Sequence, residues 1–360
     1  MINKQRLERV IANMKECGLS QILVSDDPSI YYLTGRLINP FERAVALLIR
    51  DNGEVHAFMN ELFCFEPVEG MKMHYYKDGQ NVYAMIAAEL APGKVGFDKN
   101  WASKHTISVL QERRDLIPVI GSDPVDLAKS IKDEREKELL RAAGRVNDQA
   151  VAFGISQIAP DVTEKALSDS IEAFFEEHGA VQDIQFQLVC YGANAAEPHH
   201  VSDETSKLKE GDAVLFDLWA PIDKYWCDMT RTVFYKSVSD EHRKVYEIVR
   251  AAQQAGIDFV KPGVRMCDVD ATVRKVIADA GYGDKFITRT GHGVGMTVHE
   301  APEASPSCQL IAKPGMVFSI EPGIYISGDV GVRIEDLVMV TEDGCEVLTK
   351  YPKELMVVGN

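Results

Sequence analysis

The sequence lacks several features that would assign the chain to one of the common functional classes. No apolar stretch is long enough to span a bilayer, and residues 1–18 alternate charged and apolar side chains instead of forming the uninterrupted apolar run of a secretory signal. Basic residues are outnumbered by acidic ones, and a formal net charge of −16 would repel nucleic acid and anionic membranes. We therefore expect a cytoplasmic protein that binds neither nucleic acid nor a membrane.

Several motifs that carry chemistry are missing as well. The seven cysteines are odd in number, scattered and without a CxxC pair, which indicates reduced thiols and argues against a cysteine zinc site. The glycines of GHGVG lack the spacing of a phosphate-binding GxGxxG or GxxxxGK[ST] loop. Neither a serine nucleophile elbow nor an HExxH motif is present. Nucleotide binding, serine hydrolysis and HExxH-type zinc chemistry therefore receive no support.

What the chain has is enough length and apolar content for two domains. It contains 360 residues, of which 46% are hydrophobic and 26% are charged. The pattern changes near Asp123-Pro124, which predicts a domain over residues 1–125 and a second over residues 126–360. The first is predicted to be an α/β domain with no metal-ligand cluster of its own. Its expected strands are 22–25, 44–49, 55–59, 94–97 and 116–120, and its expected helices are near 2–17, 80–90 and 102–113.

The second domain has the pattern of a duplicated helix–helix–hairpin unit. Two long amphipathic helices and a hairpin are followed by two more helices and another hairpin. Equivalent residues recur at offsets of 102 to 104: Pro160 and Pro262, Gly179 and Gly281, Gly211 and Gly315. A nearly constant offset predicts an internal pseudo-two-fold duplication.

The first hairpin carries two acids in a mostly apolar context. If its loop is Ile222-Asp223, then Asp217 lies directly opposite Asp228, with Cβ atoms about 5 Å apart. Two facing carboxylates repel each other, and they require a proton, a basic partner or a cation.

The second hairpin repeats this arrangement. Glu321 and Glu335 are symmetric about Gly328, and Glu321 lies 104 residues after Asp217. Four acids from two hairpins form the oxygen-rich environment that suits hard or borderline divalent ions, including manganese. The set as a whole therefore predicts a metal site.

Histidines complete the predicted site. His292, between the glycines of TGHGVG, adds one imidazole to the four acids and makes a two-metal site with shared ligands plausible. His299 follows seven residues later, so in an extended segment it would face the opposite way from His292. For His199 and His299 we expect hydrogen bonding to the substrate carbonyl or the leaving nitrogen. For His200 we expect a structural role.

Four motifs together resemble those of the pita-bread metallopeptidases, the family of methionine aminopeptidase, aminopeptidase P and prolidase: FDLWAPIDKYWCDMTRT, GHGVGMTVHEAP, FSIEPGIY and VRIED. The resemblance implies an α+β fold, in which a creatinase-like N-terminal α/β domain precedes a pita-bread catalytic domain with pseudo-two-fold duplication. It also implies two divalent metal ions, Mn²⁺ or else Co²⁺ or Zn²⁺. Asp228 and Glu335 would bridge the ions, Asp217 would complete one site, and His292 with Glu321 would complete the other.

The resemblance implies further roles. A metal-bridging hydroxide would attack the scissile carbonyl while Glu321 guides its proton. His199 and His299 would contact the substrate and the tetrahedral intermediate, and Arg333 would support the site by hydrogen bonding. The stretch IYYLTGRLINPFERAVALLI resembles short bacterial prolidases, which implies a homodimer in which residues 36–43 approach the partner's substrate.

Three functions follow from this interpretation. Prolidase activity, the cleavage of Xaa-Pro dipeptides, is favoured over aminopeptidase P activity, which releases the first residue of longer Xaa-Pro peptides. Creatinase lacks the metal ligands that are complete here. The third alternative is a catalytically silent binding protein, and its only support is Trp219, which replaces the usual Gly two residues after Asp217. Residues i and i+2 of a strand share a face, so the indole is expected beside the metals.

Overall fold

The computed structural model describes residues 2–180 and 187–359. The chain divides into two compact units, residues 1–129 and 130–360, and the domain boundary was predicted at residue 125. The predicted α+β fold class is confirmed by this mixture of helices and sheets. Each of the seven cysteines is a free thiol. Among the described residues, no helix is both long and apolar enough to cross a bilayer.

The first unit is built around a six-stranded mixed sheet. Its strands are β1 (Gln21–Val24), β2 (Ala46–Arg50), β3 (Val55–Asn60), β4 (Lys72–Tyr76), β5 (Gly93–Phe97) and β6 (Leu116–Ile120). Its helices are α1 (Lys4–Glu16), α2 (Asp27–Thr34), α3 (Val82–Glu89), α4 (Ser103–Glu112) and α5 (Asp123–Ser130). The strand order is β4-β3-β2-β1-β5-β6. All five predicted strands are present, and β2 and β3 pair as an antiparallel hairpin.

The elements of this unit that were not predicted include β4 and α2, and each of these two has a local reason. Strand β4 is an edge strand that is only partly buried, so its sequence has no continuous apolar run. Helix α2 has only eight residues, too few for a clear helical period. Its signals are at its ends, where the Asp26 side chain accepts from the Ser29 N–H and Gly35 takes a φ of 68°.

The second unit confirms the predicted duplication. The first repeat contains α6 (Glu134–Ser156), α7 (Glu164–Glu177), β7 (Leu188–Tyr191), β8 (Ala213–Ile222) and β9 (Tyr225–Tyr235). The second contains α8 (Asp240–Phe259), α9 (Met266–Asp279), β10 (Gly291–Gly293), β11 (Glu300–Ala304), β12 (Val317–Ile320), β13 (Gly323–Ile326), β14 (Val330–Arg333) and β15 (Asp336–Val340), and the chain ends with β16 (Cys345–Val347) and β17 (Val357–Val358). The sheets have the orders β17-β9-β8-β7, β11-β10-β12-β15-β16 and β13-β14.

A glycine in the first helix of each repeat allows close packing. In α6, a Cβ at Gly154 would lie 2.9 Å from the Ile171 side chain of α7 and 3.0 Å from the Phe216 ring of β8. Any larger residue would push α6 away from both neighbours, since buried cores are close-packed. The glycine therefore sets how near this helix lies to the first carboxylate hairpin.

The same contact recurs in the second repeat. A Cβ at Gly256 of α8 would lie 2.6 Å from Val273 of α9 and 2.9 Å from Ile320 of β12. These three positions follow their counterparts by 102, 102 and 104 residues, the offsets that the sequence predicts for the duplication. The duplication therefore extends from element order to individual packing contacts.

The two hairpins are joined edge to edge between β9 and the β14–β15 segment. The Glu335 N–H donates to the Thr230 carbonyl at 3.0 Å, and the Thr232 hydroxyl donates to the Arg333 carbonyl at 2.9 Å. These bonds bring the acids of the two repeats to one place. One backbone hydrogen bond and one bond from a threonine hydroxyl thus hold the repeats together at this seam.

A buried ion pair lies behind the seam. Arg231 is 1% exposed, and its Nη2 lies 2.6 Å from Asp336 Oδ1. Its Nη1 donates to the carbonyls of Thr230 and Glu335, while Lys353 Nζ lies 2.7 Å from Asp336 Oδ2. A buried pair with its remaining atoms satisfied fixes geometry, because separating it would leave an uncompensated charge. The Arg231–Asp336 pair therefore holds the backbone of Thr230 and Glu335 in place.

We predict that Gly256→Ala destabilises the protein by about 1–2 kcal/mol, because overpacking outweighs the roughly 1 kcal/mol that alanine gains in helix propensity. Gly154→Ala should cost less, since one of its neighbours is the flexible end of Ile171, whereas Val273 and Ile320 are stiff β-branched side chains. Urea unfolding followed by circular dichroism measures both. Gly344→Ala is the control, because a Cβ there meets nothing within 4 Å. An unchanged midpoint for Gly256→Ala would contradict the packing argument.

Candidate metal centre

The five predicted metal ligands converge in the second unit. Potential ligand atoms of Asp217, Asp228 and Glu335 lie within 4.8 Å of one another, and so do those of His292, Glu321 and Glu335. The two groups share Glu335, so they form one continuous cluster. A cavity opens onto this cluster from solvent.

The first hairpin reaches this arrangement by a register that differs from the prediction. Its two-residue turn is Asp223-Lys224, one position later than expected, with φ values of 47° and 72°. Two positive φ angles define the type I′ turn, whose twist matches that of the flanking strands. Asp217 therefore pairs with Thr230, and the prediction that it lies directly opposite Asp228 is wrong. Because the pairing shifts by two residues, both acids still occupy one face.

The second hairpin follows the predicted register. Strand β12 pairs with β15 and β13 with β14 in a single register centred on Gly328, which takes a φ of 76°. This confirms that Glu321 and Glu335 lie at symmetric positions. The pairing is interrupted over residues 321–322 and 334–335, which include both acids.

His292 presents one ring nitrogen to the acids. Its Nε2 lies 3.2 Å from Glu321 Oε1 and 3.6 Å from Asp228 Oδ2. Its Nδ1 lies 3.2 Å from the Gly293 carbonyl, which can only accept, so Nδ1 carries the proton. Burial lowers the pKa of His292 well below its ordinary value. Neutral, with the Nε2 lone pair directed at the carboxylates, the imidazole is in the form that binds a metal ion.

His299 lies on the same side as His292, so the prediction that the two face opposite ways is wrong. Their ring centroids are 4.0 Å apart in an edge-to-face arrangement. The intervening segment bends instead of extending. Gly293 allows this, because a Cβ there would lie 2.3 Å from the Ala301 carbonyl oxygen. Partial desolvation and the charge of Arg289 lower the pKa of His299, although the ring is open to the cavity.

His199 reaches the cavity from an anchored loop between β7 and β8. Glu164, at the start of α7, is fully buried and accepts the Tyr191 N–H at 2.6 Å and the Asp203 N–H at 3.1 Å. The neighbouring His200 places its Nε2 2.8 Å from the same carboxylate. This contact gives His200 a structural environment, while the adjacent His199 lines the cavity.

Arg333 and Thr230 orient the acids. The buried guanidinium of Arg333 donates through Nη2 to Asp217 Oδ2, through Nε to Thr230 Oγ1 at 3.0 Å and through Nη1 to the Tyr325 hydroxyl at 2.9 Å. The Thr230 hydroxyl lies 3.0 Å from Asp217 Oδ1 and 2.8 Å from Glu335 Oε2. A donor placed between two carboxylates reduces their repulsion and aims their remaining oxygens inward.

Two buried oxygens of this cluster are uncompensated. Asp228 Oδ1 and Glu335 Oε1 make no hydrogen bond, although burying an unpaired carboxylate oxygen is costly. Burial, then the charge of Asp217, raises the pKa of Asp228, and burial with Asp228 raises that of Glu335. Burial also raises the pKa of Glu321 to about 7. These oxygens belong to the two residues expected to bridge metal ions, and a set of carboxylates with one imidazole fits divalent cations.

The cavity contains residues that sequence reasoning did not assign. Arg289, three residues before His292, lines it and lies 3.1 Å from Glu303. Thr230 could have been found from the sequence, because it lies two residues after Asp228 and so shares its face. No comparable local signal identifies Arg289.

Trp219 lies on the ligand face, as its position in the strand predicts. It pairs directly with Asp228 across the hairpin and lines the cavity. The indole therefore narrows the space beside the acids, and all five expected ligands still converge.

The two units, the duplicated repeats and the buried acid–imidazole cluster together define a metal-dependent hydrolase. Residues 138–342 match the sequence profile of Metallopeptidase family M24, and residues 6–136 match the Creatinase/Prolidase N-terminal domain. The chain belongs to the M24 metallopeptidases, which bind divalent metals. The family resemblance and the enzyme class that the motifs implied are confirmed.

Relatives match along nearly the whole chain. An Xaa-Pro dipeptidase from Lactobacillus delbrueckii subsp. lactis is 35% identical over 357 residues, which cover 96% of each protein. A putative dipeptidase, YkvY, from Bacillus subtilis strain 168 is 34% identical over 363 residues, covering 98% of this chain and 99% of the relative. The crystal structure of a prolidase from Thermococcus sibiricus is 33% identical and superposes with a TM-score of 0.90, covering 99% of this chain and 100% of that one.

We predict that metal stabilises the fold more strongly as the pH rises. Acids with raised pKa values favour the metal-free fold at low pH, and this contribution is lost between about pH 4, the ordinary value in the unfolded chain, and the pKa of Glu321 near 7. A bound cation replaces the lost protons. Mn²⁺ should therefore raise the thermal unfolding midpoint more at about pH 8 than at about pH 6. Differential scanning fluorimetry measures the midpoint, and an equal shift at both pH values would contradict the assignment.

Proposed function

We propose that the protein hydrolyses Xaa-Pro dipeptides with two divalent metal ions held by Asp217, Asp228, His292, Glu321 and Glu335. The observation that carries the proposal is the pair of buried oxygens on Asp228 and Glu335 that make no hydrogen bond within the acid–imidazole cluster. When bound, two such ions activate a water molecule and polarise the scissile carbonyl. The oxygen-rich ligand set favours Mn²⁺, with Co²⁺ and Zn²⁺ as the alternatives to test.

The remaining residues have roles that follow from their positions. Glu321 is partly open to the cavity and accepts from Ser319 Oγ at 3.1 Å, which leaves its other oxygen to accept the proton of the attacking water. His199 and His299 line the cavity and would donate hydrogen bonds to the carbonyl oxygen and to the leaving nitrogen. Arg333 would act as a positioning residue, because its donors are directed at Asp217 and Thr230.

Arg289 supports dipeptide specificity. The Arg333 guanidinium is engaged within the cluster, whereas Arg289 lies at the cavity with its side chain about one-third exposed, and its Glu303 partner is itself 53% exposed. A guanidinium is well suited to bind a carboxylate through paired hydrogen bonds. A dipeptide has its terminal carboxylate one residue beyond the scissile bond, where a cation in the same cavity can reach it.

Apolar residues of the cavity support proline at that position. Leu188, Pro198, Trp219 and Val298 line it together with the polar groups. A pyrrolidine ring has no N–H to satisfy once it is acylated, so an apolar wall can hold it without leaving a polar group unpaired. The Trp219 indole narrows the cavity at this wall, which favours a dipeptide over the longer substrates of the aminopeptidase P alternative.

We also propose a cytoplasmic homodimer. The pattern of free cysteines is typical of a reducing compartment. The dimer, with residues 36–43 near the partner's substrate, rests on the resemblance of this segment to short bacterial prolidases.

Hydrolysis by chelator-stripped protein tests the proposed function. With added Mn²⁺ we expect cleavage of an Xaa-Pro dipeptide and not of the matched Xaa-Pro-Yaa tripeptide. Asp228→Asn and Glu335→Gln should each reduce the rate by roughly a hundredfold or more, because each residue is assigned to both ions. Liquid chromatography of the released proline provides the readout. Tripeptide cleavage would indicate aminopeptidase P activity, and two bound metals without cleavage would indicate the silent binding protein.

Arg289→Ala should weaken binding of the dipeptide through the loss of its contact with the terminal carboxylate. Loss of a charge-assisted hydrogen bond of about 1.5–3 kcal/mol corresponds to a KM that is roughly 10- to 100-fold higher, with kcat changed little. The corresponding Xaa-Pro amide, which has no carboxylate, should show no such increase. Arg243→Ala, at an exposed position of α8, is the matched control. Equal effects on acid and amide would show that Arg289 does not bind the carboxylate.

A further inference from the structure

A second group of potential metal ligands lies in the first unit, where the sequence predicted none. His56 of β3, His74 of β4 and Glu89 at the end of α3 place one ligand atom each within 4.8 Å of one another. In the parallel β3–β4 pair, His74 is opposite Phe58, two residues from His56. The two imidazoles therefore share a face of the sheet.

Two of the three ligand–ligand distances are close to those of a tetrahedral metal site. His56 Nδ1 lies 3.0 Å from His74 Nε2 and 3.4 Å from Glu89 Oε2. With metal–ligand bonds of about 2.0–2.1 Å, tetrahedral ligands lie about 3.3 Å from one another. The three atoms could therefore bind one ion with little rearrangement, leaving a fourth position for water.

The second nitrogen of His56 has the environment of a metal-binding histidine. His56 is 1% exposed, and its Nε2 makes no hydrogen bond of good geometry, yet it lies 3.2 Å from Glu54 Oε1. Histidines that bind a metal through one nitrogen commonly direct the other N–H at a carboxylate. With the proton on Nε2, the lone pair of Nδ1 points at His74 and Glu89.

The charged residues around the cluster leave Glu89 without a short ion pair, and solvent reaches two of the three ligands. Arg50 and Lys72 pair with Glu54, and Arg50 Nη2 lies 3.8 Å from Glu89 Oε2, so Glu89 is held without a short ion pair. Both His74 and Glu89 are partly exposed, so an ion can enter from solvent.

We propose that His56, His74 and Glu89 form a separate site for one zinc-class divalent ion in the first unit. Two imidazoles and one carboxylate suit Zn²⁺ better than the oxygen-rich catalytic cluster does. The ion would join the edge strand β4 and the end of α3 to β3. This binding does not depend on the proposed peptidase activity.

Zinc binding in a full-length chain with a disabled catalytic cluster tests this site. The Asp228→Asn/Glu335→Gln protein is dialysed against Zn²⁺, and bound zinc per chain is measured by mass spectrometry of the metal. Adding His74→Gln should remove about one equivalent of zinc or weaken its binding at least tenfold. Glu89→Gln, at the end of a helix, should weaken it in the same direction without altering the buried sheet. His105→Gln, which replaces a buried histidine of the same unit outside the cluster, is the control.

Each outcome decides the proposal. Loss of zinc with His74→Gln and Glu89→Gln, but not with His105→Gln, supports the site. Unchanged zinc content in the His74→Gln protein would overturn it. Equal loss in the His105→Gln protein would show a general effect of instability and would also overturn it. If neither background nor variants bind zinc, the two imidazoles form only a hydrogen-bonded pair.

Discussion

The mutual repulsion of buried carboxylates is the constraint around which the second unit is organised. Asp228 and Glu335 approach each other across the seam between two hairpins, and each has a buried oxygen without a hydrogen-bond partner. Such an arrangement is stable only when protons or cations compensate the charge. The raised pKa values of both acids express this cost, and divalent ions remove it. The unfavourable contact that raises these pKa values is therefore also the feature on which the proposed metal binding rests.

The fold holds these acids together by keeping their supports rigid. Backbone pairing at Thr230 and Glu335 joins the repeats, and the Arg231–Asp336 pair holds that seam from behind. On the cavity side, Arg333 donates a hydrogen bond to Asp217 and thereby fixes the orientation of that carboxylate. Close helix packing permitted by glycine brings each hairpin onto its repeat. Positioning of this kind lets a site keep its geometry when charge changes during a reaction.

The same chemistry explains why the first unit can hold a site of a different kind. Its histidines lie on neighbouring strands, whereas the acids of the candidate metal centre come from turn-linked strands of a duplicated unit. Imidazole-rich and carboxylate-rich clusters differ in the ions they select. The two sites can therefore be distinguished by metal as well as by mutation.

The sequence by itself determined the duplication and the register of the second hairpin, and it predicted the two domains and the five candidate metal ligands. These depend on residue type, on strand periodicity and on symmetry about Gly328, which are local properties. Only the tertiary structure decided the pairing of Asp217. The turn of the first hairpin lies at Asp223-Lys224, one residue after the position that the sequence suggested, and this shifts the register of the strands. The tertiary structure also decided three contacts: His299 packs against His292, Arg289 lines the cavity, and His56 lies beside His74. Each depends on backbone bends or on contacts between distant segments, and periodicity carries no information about either.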